Sequence, residues 1–196
     1  GIDASSDGDS ILVLAGIYYE SINFNGKNIA VVGVDRETTT INGNGGSVVT
    51  FNNSEDSSSL LSGFTITGGN TGQPGHGGGI HISNSSPKIE NCIVSNNSAY
   101  FAGGIYIQNS NSKLYNLKII NNHASGHGGG MFLSESNAII SNVNVMYNTA
   151  DNDGGIGIGD GSPILSNVIV KGNTASFFCG GGIGISGSPT LKNVLI

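Results

Sequence analysis

Two sets of side chains in this sequence could do chemistry, and both recur at intervals of 25, 26, 25 and 27 residues. The first is His76, Phe101, His127, Asn152 and Cys179; the second is His81, Tyr106, Phe132, Gly157 and Gly184. His76 and His127 lie in Gly-His-Gly triplets, Gly75-His76-Gly77 and Gly126-His127-Gly128. Stacked at the ~4.8 Å spacing of paired strands, His81, Tyr106 and Phe132 would form a row of exposed rings, a platform for sugar rings or a protein contact. His76, Phe101 and His127 would line a ligand groove along the adjoining edge. The plainer readings are solvated turn residues for the first set and rings covered by a loop or a neighbouring chain for the second. His76 and His127 are two repeats apart, ~10 Å, too far to share one metal ion directly.

The remaining polar chemistry is sparser. Asp151, Asp153 and Asp160 fall within one repeat and could hold calcium through carboxylate and carbonyl oxygens, although solvated turn aspartates are the simpler reading. No other cofactor is expected. Inverting glycoside hydrolysis needs two carboxylates flanking the bond, and no repeat strand carries a matching Asp or Glu pair. β-Elimination from a uronic acid needs a cation and a base; Lys88 and Lys113 occupy equivalent positions, with Tyr115 nearby. Arg36, the only arginine, lies in an early turn and reads as structural. The Gly-Gly pairs enter strands and are not followed by Lys-Ser/Thr, so they are not phosphate loops. Cys92 and Cys179 fall more than three repeats apart, beyond disulfide reach, and are expected to be free thiols.

The elements that must position these groups follow from the repeat. Gly-Gly pairs begin at residues 78, 103, 129, 154 and 181. After each come apolar residues at i and i+2: Ile80/Ile82, Ile105/Ile107, Met131/Leu133, Ile156/Ile158 and Ile183/Ile185. Period two means strand. Next come Ile89, Leu114, Ile140, Leu165 and Leu191, then, three residues later, Cys92, Leu117, Val143, Val168 and Val194. A step of three between inward positions cannot lie in a flat strand, so the chain must bend between them. Asn91, Asn116, Asn142, Asn167 and Asn193 occupy that bend, and Asn tolerates left-handed backbone angles. Their stacked amides are expected to satisfy a buried corner. A second column, Asn97, Asn122, Asn148 and Asn173, marks another turn.

Three short strands and three turns per ~25-residue unit specify an all-β, single-stranded right-handed parallel β-helix of about seven coils and three short parallel sheets. Residues 1–196 read as one domain, with irregular coils over 1–70 and regular repeats over 78–196. The chain stops in mid-coil, so a fragment of a longer protein is expected, with end-to-end or side-by-side self-association through open coil ends.

The opening Asp7-Gly8-Asp9, Ile11–Leu14 and Ala15-Gly16-Ile17-Tyr18-Tyr19-Glu20 resembles the first coil of the pectin-lyase-like superfamily, whose members are right-handed parallel β-helices. In that superfamily an amphipathic helix usually caps this coil, and Gly1-Ile2-Asp3-Ala4 matches only its last turn. The repeats resemble those of secreted bacterial proteins. They are also similar to those of polymorphic outer-membrane adhesins, with Val94 to Asn97 replacing the Phe-x-x-Asn half of that pattern. The resemblance spans nearly the whole chain but implies fold more than activity, because the superfamily includes lyases, hydrolases, phage tailspikes and adhesins. The Gly-His-Gly triplets resemble those of polygalacturonases, without the three catalytic aspartates found beside them there.

Composition narrows the function classes. A net charge of −6 and a pI near 4.9 supply no basic footprint for nucleic acid or an anionic membrane surface. No apolar run approaches the ~20 residues of a membrane span. The acidic, Ser/Asn-rich chain is expected to be secreted or on the surface of a bacterial cell. There it would be a non-catalytic scaffold for adhesion or glycan binding, with a polysaccharide or cell-surface glycan as partner. A uronan lyase and a purely structural fibre unit are the alternatives.

Overall fold

The computed structural model describes residues 1–177 and 180–196, and they form a right-handed solenoid of short parallel strands. One sheet stacks seven strands: Ile22–Asn23, Val49–Phe51, Ile80–Ser83, Ile105–Gln108, Met131–Ser134, Ile156–Ile158 and Ile183–Ile185. Seven coils at the usual strand spacing make a rod about 35 Å long. A four-stranded sheet holds Ser98–Ala99, His123–His127, Thr149–Asn152 and Thr174–Ala175. The third sheet, of 13 strands, begins as two ladders that merge at Ile139–Met146. No helix among the described residues is long and apolar enough to cross a membrane.

The merging explains how the inward step of three is accommodated. Asn91, Asn116, Asn142, Asn167 and Asn193 all have φ between 50° and 56°, and Gly63 holds the same place in an earlier coil with φ 81°. In early coils this kink separates two strands, as between Lys88–Glu90 and Ile93–Ser95; in later coils Ile139–Met146 and Ile164–Lys171 pass through it unbroken. The corner is not buried as expected. These asparagines are exposed, because the inward places around the kink are taken by the positions two before and one after, such as Ile89 and Cys92, and their amides link on the surface: Asn116 Nδ2 donates to Asn91 Oδ1 at 2.6 Å and Asn167 to Asn142 at 3.2 Å.

The buried amide ladder is the second column. Asn97, Asn122 and Asn148 are at most 2% exposed. Asn122 Oδ1 accepts from the Asn97 backbone N–H and Nδ2, at 3.0 and 3.1 Å, while Asn122 Nδ2 donates to Val94 O and Asn148 Oδ1, both at 3.0 Å. Asn148 repeats the pattern with Ile119 O and Asn173 Oδ1, at 2.9 and 3.0 Å. Every donor and acceptor of the amide is used, which removes the desolvation cost of burying it. The Gly-Gly pairs lie against this ladder: a Cβ on Gly79 would sit 2.6 Å from Val94 Cγ1 and 2.9 Å from Asn97 Nδ2. The two signatures of the repeat are therefore one packing unit.

Between the sheets the inward positions form columns. Ile80, Ile105, Met131 and Ile156 are fully buried, as are Ile89, Leu114, Ile140 and Leu165. Each such side chain contributes about 1.5–3 kcal/mol of burial free energy. The irregular coils use other devices. Phe24 and Phe51 pack at a ring-centroid distance of 4.1 Å, and buried Glu55 accepts from Gly26 N, Asn53 N and Ser85 Oγ at 2.8, 2.9 and 2.7 Å, tying adjacent coils together. Arg36 reaches the kink column, donating from Nη1 to Asn116 O at 3.0 Å, a structural contact.

Candidate functional site

The two ring columns run side by side. The first is set by the turn that enters the seven-stranded sheet, where His76 bridges Phe101 and His127 pairs with Asn152. The second is set by strand register, which aligns His81, Tyr106, Phe132, Gly157 and Gly184. Alternation along each strand turns Ile80 and Ile82 inward and His81 outward.

Within the first column the rings are near parallel: His76 to Phe101 at 5.4 Å and 6°, Phe101 to His127 at 5.7 Å and 12°. In the second, Tyr106 and Phe132 lie 6.2 Å apart at 9°, while His81 meets Tyr106 edge-on at 5.6 Å. The columns also touch each other. His76 is 4.6 Å from Tyr106, Phe101 5.6 Å from Phe132, and His127 5.8 Å from Phe132. Tyr100 stands edge-on to Phe101 at 4.7 Å. The six residues read as a platform and a groove thus form one continuous aromatic stripe.

This corrects the expected row of three exposed rings. Tyr106 is only 6% exposed, because His76, His81 and Phe132 pack around it. The accessible rings are His76, His81, Phe101, His127 and Phe132, each half-buried. Burial pushes the His76 pKa below its ordinary value and also lowers that of His81, with a smaller contribution from His76 beside it. Burial raises the Tyr106 hydroxyl, aided by Glu135. Burial therefore favours the uncharged forms of His76, His81 and Tyr106.

One partner escaped the sequence reading. Asp153, read as a solvated turn residue, is buried, and its Oδ2 accepts from His127 Nδ1 at 2.9 Å. That hydrogen bond fixes the orientation of the imidazole. Asp153 has φ 57° and precedes a Gly-Gly pair, a place filled in other coils by Gly77, Ala102 and Gly128, all with positive φ. A functional side chain in a column otherwise held by Gly and Ala was the available signal. Two glycines clear the space above it. A Cβ on Gly157 would meet Phe132 Cδ2 at 2.5 Å and Asp153 Oδ2 at 3.0 Å, and one on Gly184 would collide with Asp153 Oδ1. The last two members of the ring column are thus vacated for Phe132 and Asp153.

The other candidates do not converge. Asp153 is committed to His127, Asp151 is half-buried, and Asp160 is exposed; no group of three or more His, Cys, Asp or Glu side chains among the described residues could hold a metal ion. Lys88 and Lys113 are in register as expected, on the 13-stranded sheet, a turn away from the strand that carries the rings, and Lys88 Nζ pairs with Glu90 Oε2 at 2.7 Å. Cys92 is buried in the core as a free thiol whose pKa is pushed up to about 12, chiefly by burial. Its expected failure to pair with Cys179 lies outside the described residues.

Comparison with known proteins agrees with this architecture. The model of the right-handed beta helix region matches residues 18–195. Among solved structures, a mutant pectin methylesterase in complex with a hexasaccharide superposes with a TM-score of 0.52. The match has 12% identity and covers 95% of this chain and 75% of that one; at that identity the likeness shows the fold alone. No curated protein sequence matches. With the match running through almost every coil described above, the chain belongs to the right-handed β-helix family.

Proposed function

We propose that this β-helix binds a polysaccharide or cell-surface glycan along the aromatic stripe, as a secreted or surface-exposed scaffold for adhesion without turnover of its ligand. The observation that carries the proposal is the contiguity of His76, His81, Phe101, His127 and Phe132 around buried Tyr106. Ring faces suit the apolar C–H faces of sugars, and rings locked against one another lose little side-chain entropy on binding. The similarity to a pectin methylesterase fold seen with a hexasaccharide makes uronic-acid polymers the first ligands to try. The scaffold side of the reading is supported by Leu12, Leu14, Ile17 and Tyr19, large exposed side chains in the first coil that offer a contact to another copy of the chain.

A glycan array followed by titration of the best ligand tests the reading. Phe101→Ala and Phe132→Ala should each weaken binding at least ~10-fold, the loss of about 1.4 kcal/mol, with far-ultraviolet circular dichroism unchanged. Unaltered affinity in both variants would remove the stripe as the site. The same polymers, incubated with the protein with and without calcium, report on the lyase alternative, for which His127 held by Asp153 would be the base. Accumulation of unsaturated, ultraviolet-absorbing products would overturn the non-catalytic reading.

A further inference from the structure

Among the four histidines, two have committed ring nitrogens: His127 is held by Asp153 and His123 Nδ1 lies 3.0 Å from Thr149 Oγ1. No hydrogen bond engages a ring nitrogen of His76 or His81 among the described residues, and these are the two that stand together, with ring centroids 6.2 Å apart and planes inclined by 37°. We propose that His76 and His81 form a two-imidazole site for a divalent transition-metal ion of the copper, nickel or zinc class, with water completing its coordination.

The spacing permits it. A metal–imidazole bond of about 2.1 Å places the ion about 3.2 Å from each ring centroid, so two opposed rings span about 6.4 Å and tetrahedrally disposed ones about 5.3 Å. The observed separation lies inside that range, and tetrahedral closure needs a side-chain adjustment of about 1 Å. The backbone carrying both rings is held in place before any ion arrives. His81 sits in Ile80–Ser83, paired with strands on both sides. The turn carrying His76 is pinned by Ser47 Oγ donating to His76 O at 3.2 Å, by Gly77 N donating to Phe101 O at 2.9 Å and by Phe101 N donating to Gly75 O at 2.9 Å. Tyr106 packs against both imidazoles.

The chemistry of the donors selects the ion. Neutral imidazole suits copper, nickel and zinc, whereas calcium and magnesium require oxygen ligands that this pair does not provide. The two histidines lie five residues apart within one coil, which distinguishes them from His76 and His127 in different coils. With only two protein ligands the ion exchanges readily and keeps open positions.

Titration of the purified chain with Cu²⁺ and with Zn²⁺ tests the site, and because no sugar is present its outcome is independent of glycan binding. The unsubstituted chain should bind one equivalent saturably, His76→Ala and His81→Ala should each weaken it at least ~10-fold, and His123→Ala should leave it unchanged. Electron spin-echo modulation of the Cu²⁺ complex should show two imidazoles in the unsubstituted chain and one in either variant; the first count stands even where a variant fails to fold. Absence of saturable binding, equal affinity in the two variants and the parent, or a spectrum lacking the two imidazoles overturns the proposal.

Discussion

Burial couples the rings on the stripe to pH. His76 and His81 both have folded pKa values depressed below the ordinary 6.5, mainly by desolvation. As pH falls through 6.5 the unfolded chain takes up these protons before the folded chain does, so stability rises with pH across that window and is lost below it. The melting temperature should therefore drop on moving from pH 8 to pH 5.5, and a His76→Asn/His81→Asn double variant should show a shallower drop. An unchanged slope in the double variant would mean that the two rings titrate as though solvated. Spacing alone placed these residues in two separate columns; it could not show that His76 leans onto Tyr106 and buries it, because side-chain lean depends on the turn that carries it. Asp153 was hidden for a related reason. Its carboxylate reaches His127 across 26 residues and depends on the absent side chains of Gly157 and Gly184.

At the scale of strands and turns, Asn, Gly and the inward apolar positions carry nearly all the information, and they were legible because each recurs in coil after coil. The kink at Asn91 and its counterparts was readable from the odd step between inward residues and appears as positive φ at every one of them. Which asparagine column is buried was not readable, since both are polar turn positions in sequence; it is decided by whether the side chain faces the Gly-Gly pair. Asn122 tests this assignment. Asn122→Ala strips partners from Asn97 N and Nδ2, Val94 O and Asn148 Oδ1 inside the core, and should cost at least about 3 kcal/mol in denaturant unfolding. Asn116→Gly removes only an exposed rung at a backbone angle glycine accepts, and should cost less than about 1 kcal/mol. Equal losses would contradict the distinction between buried and surface ladders.

The whole molecule is a rod whose repeats build its interior and whose departures from repetition give it a face. Its fold was legible almost throughout, while the lysine pair lies on a different sheet from the rings, with Lys88 engaged by Glu90, and the aspartate trio is broken by the commitment of Asp153 to His127. What remains is a stripe running along three coils beside the Asp153 carboxylate, and the central claim is that glycans bind there. The most direct measurement is side-chain NMR of the four histidines during titration with uronic-acid oligosaccharides. The His76, His81 and His127 ring signals should shift together and saturably, while His123, bonded to Thr149 and four residues along the strand from His127, should stay fixed. Shifts confined to His123, or saturable binding that leaves the three stripe histidines unmoved, would contradict that claim.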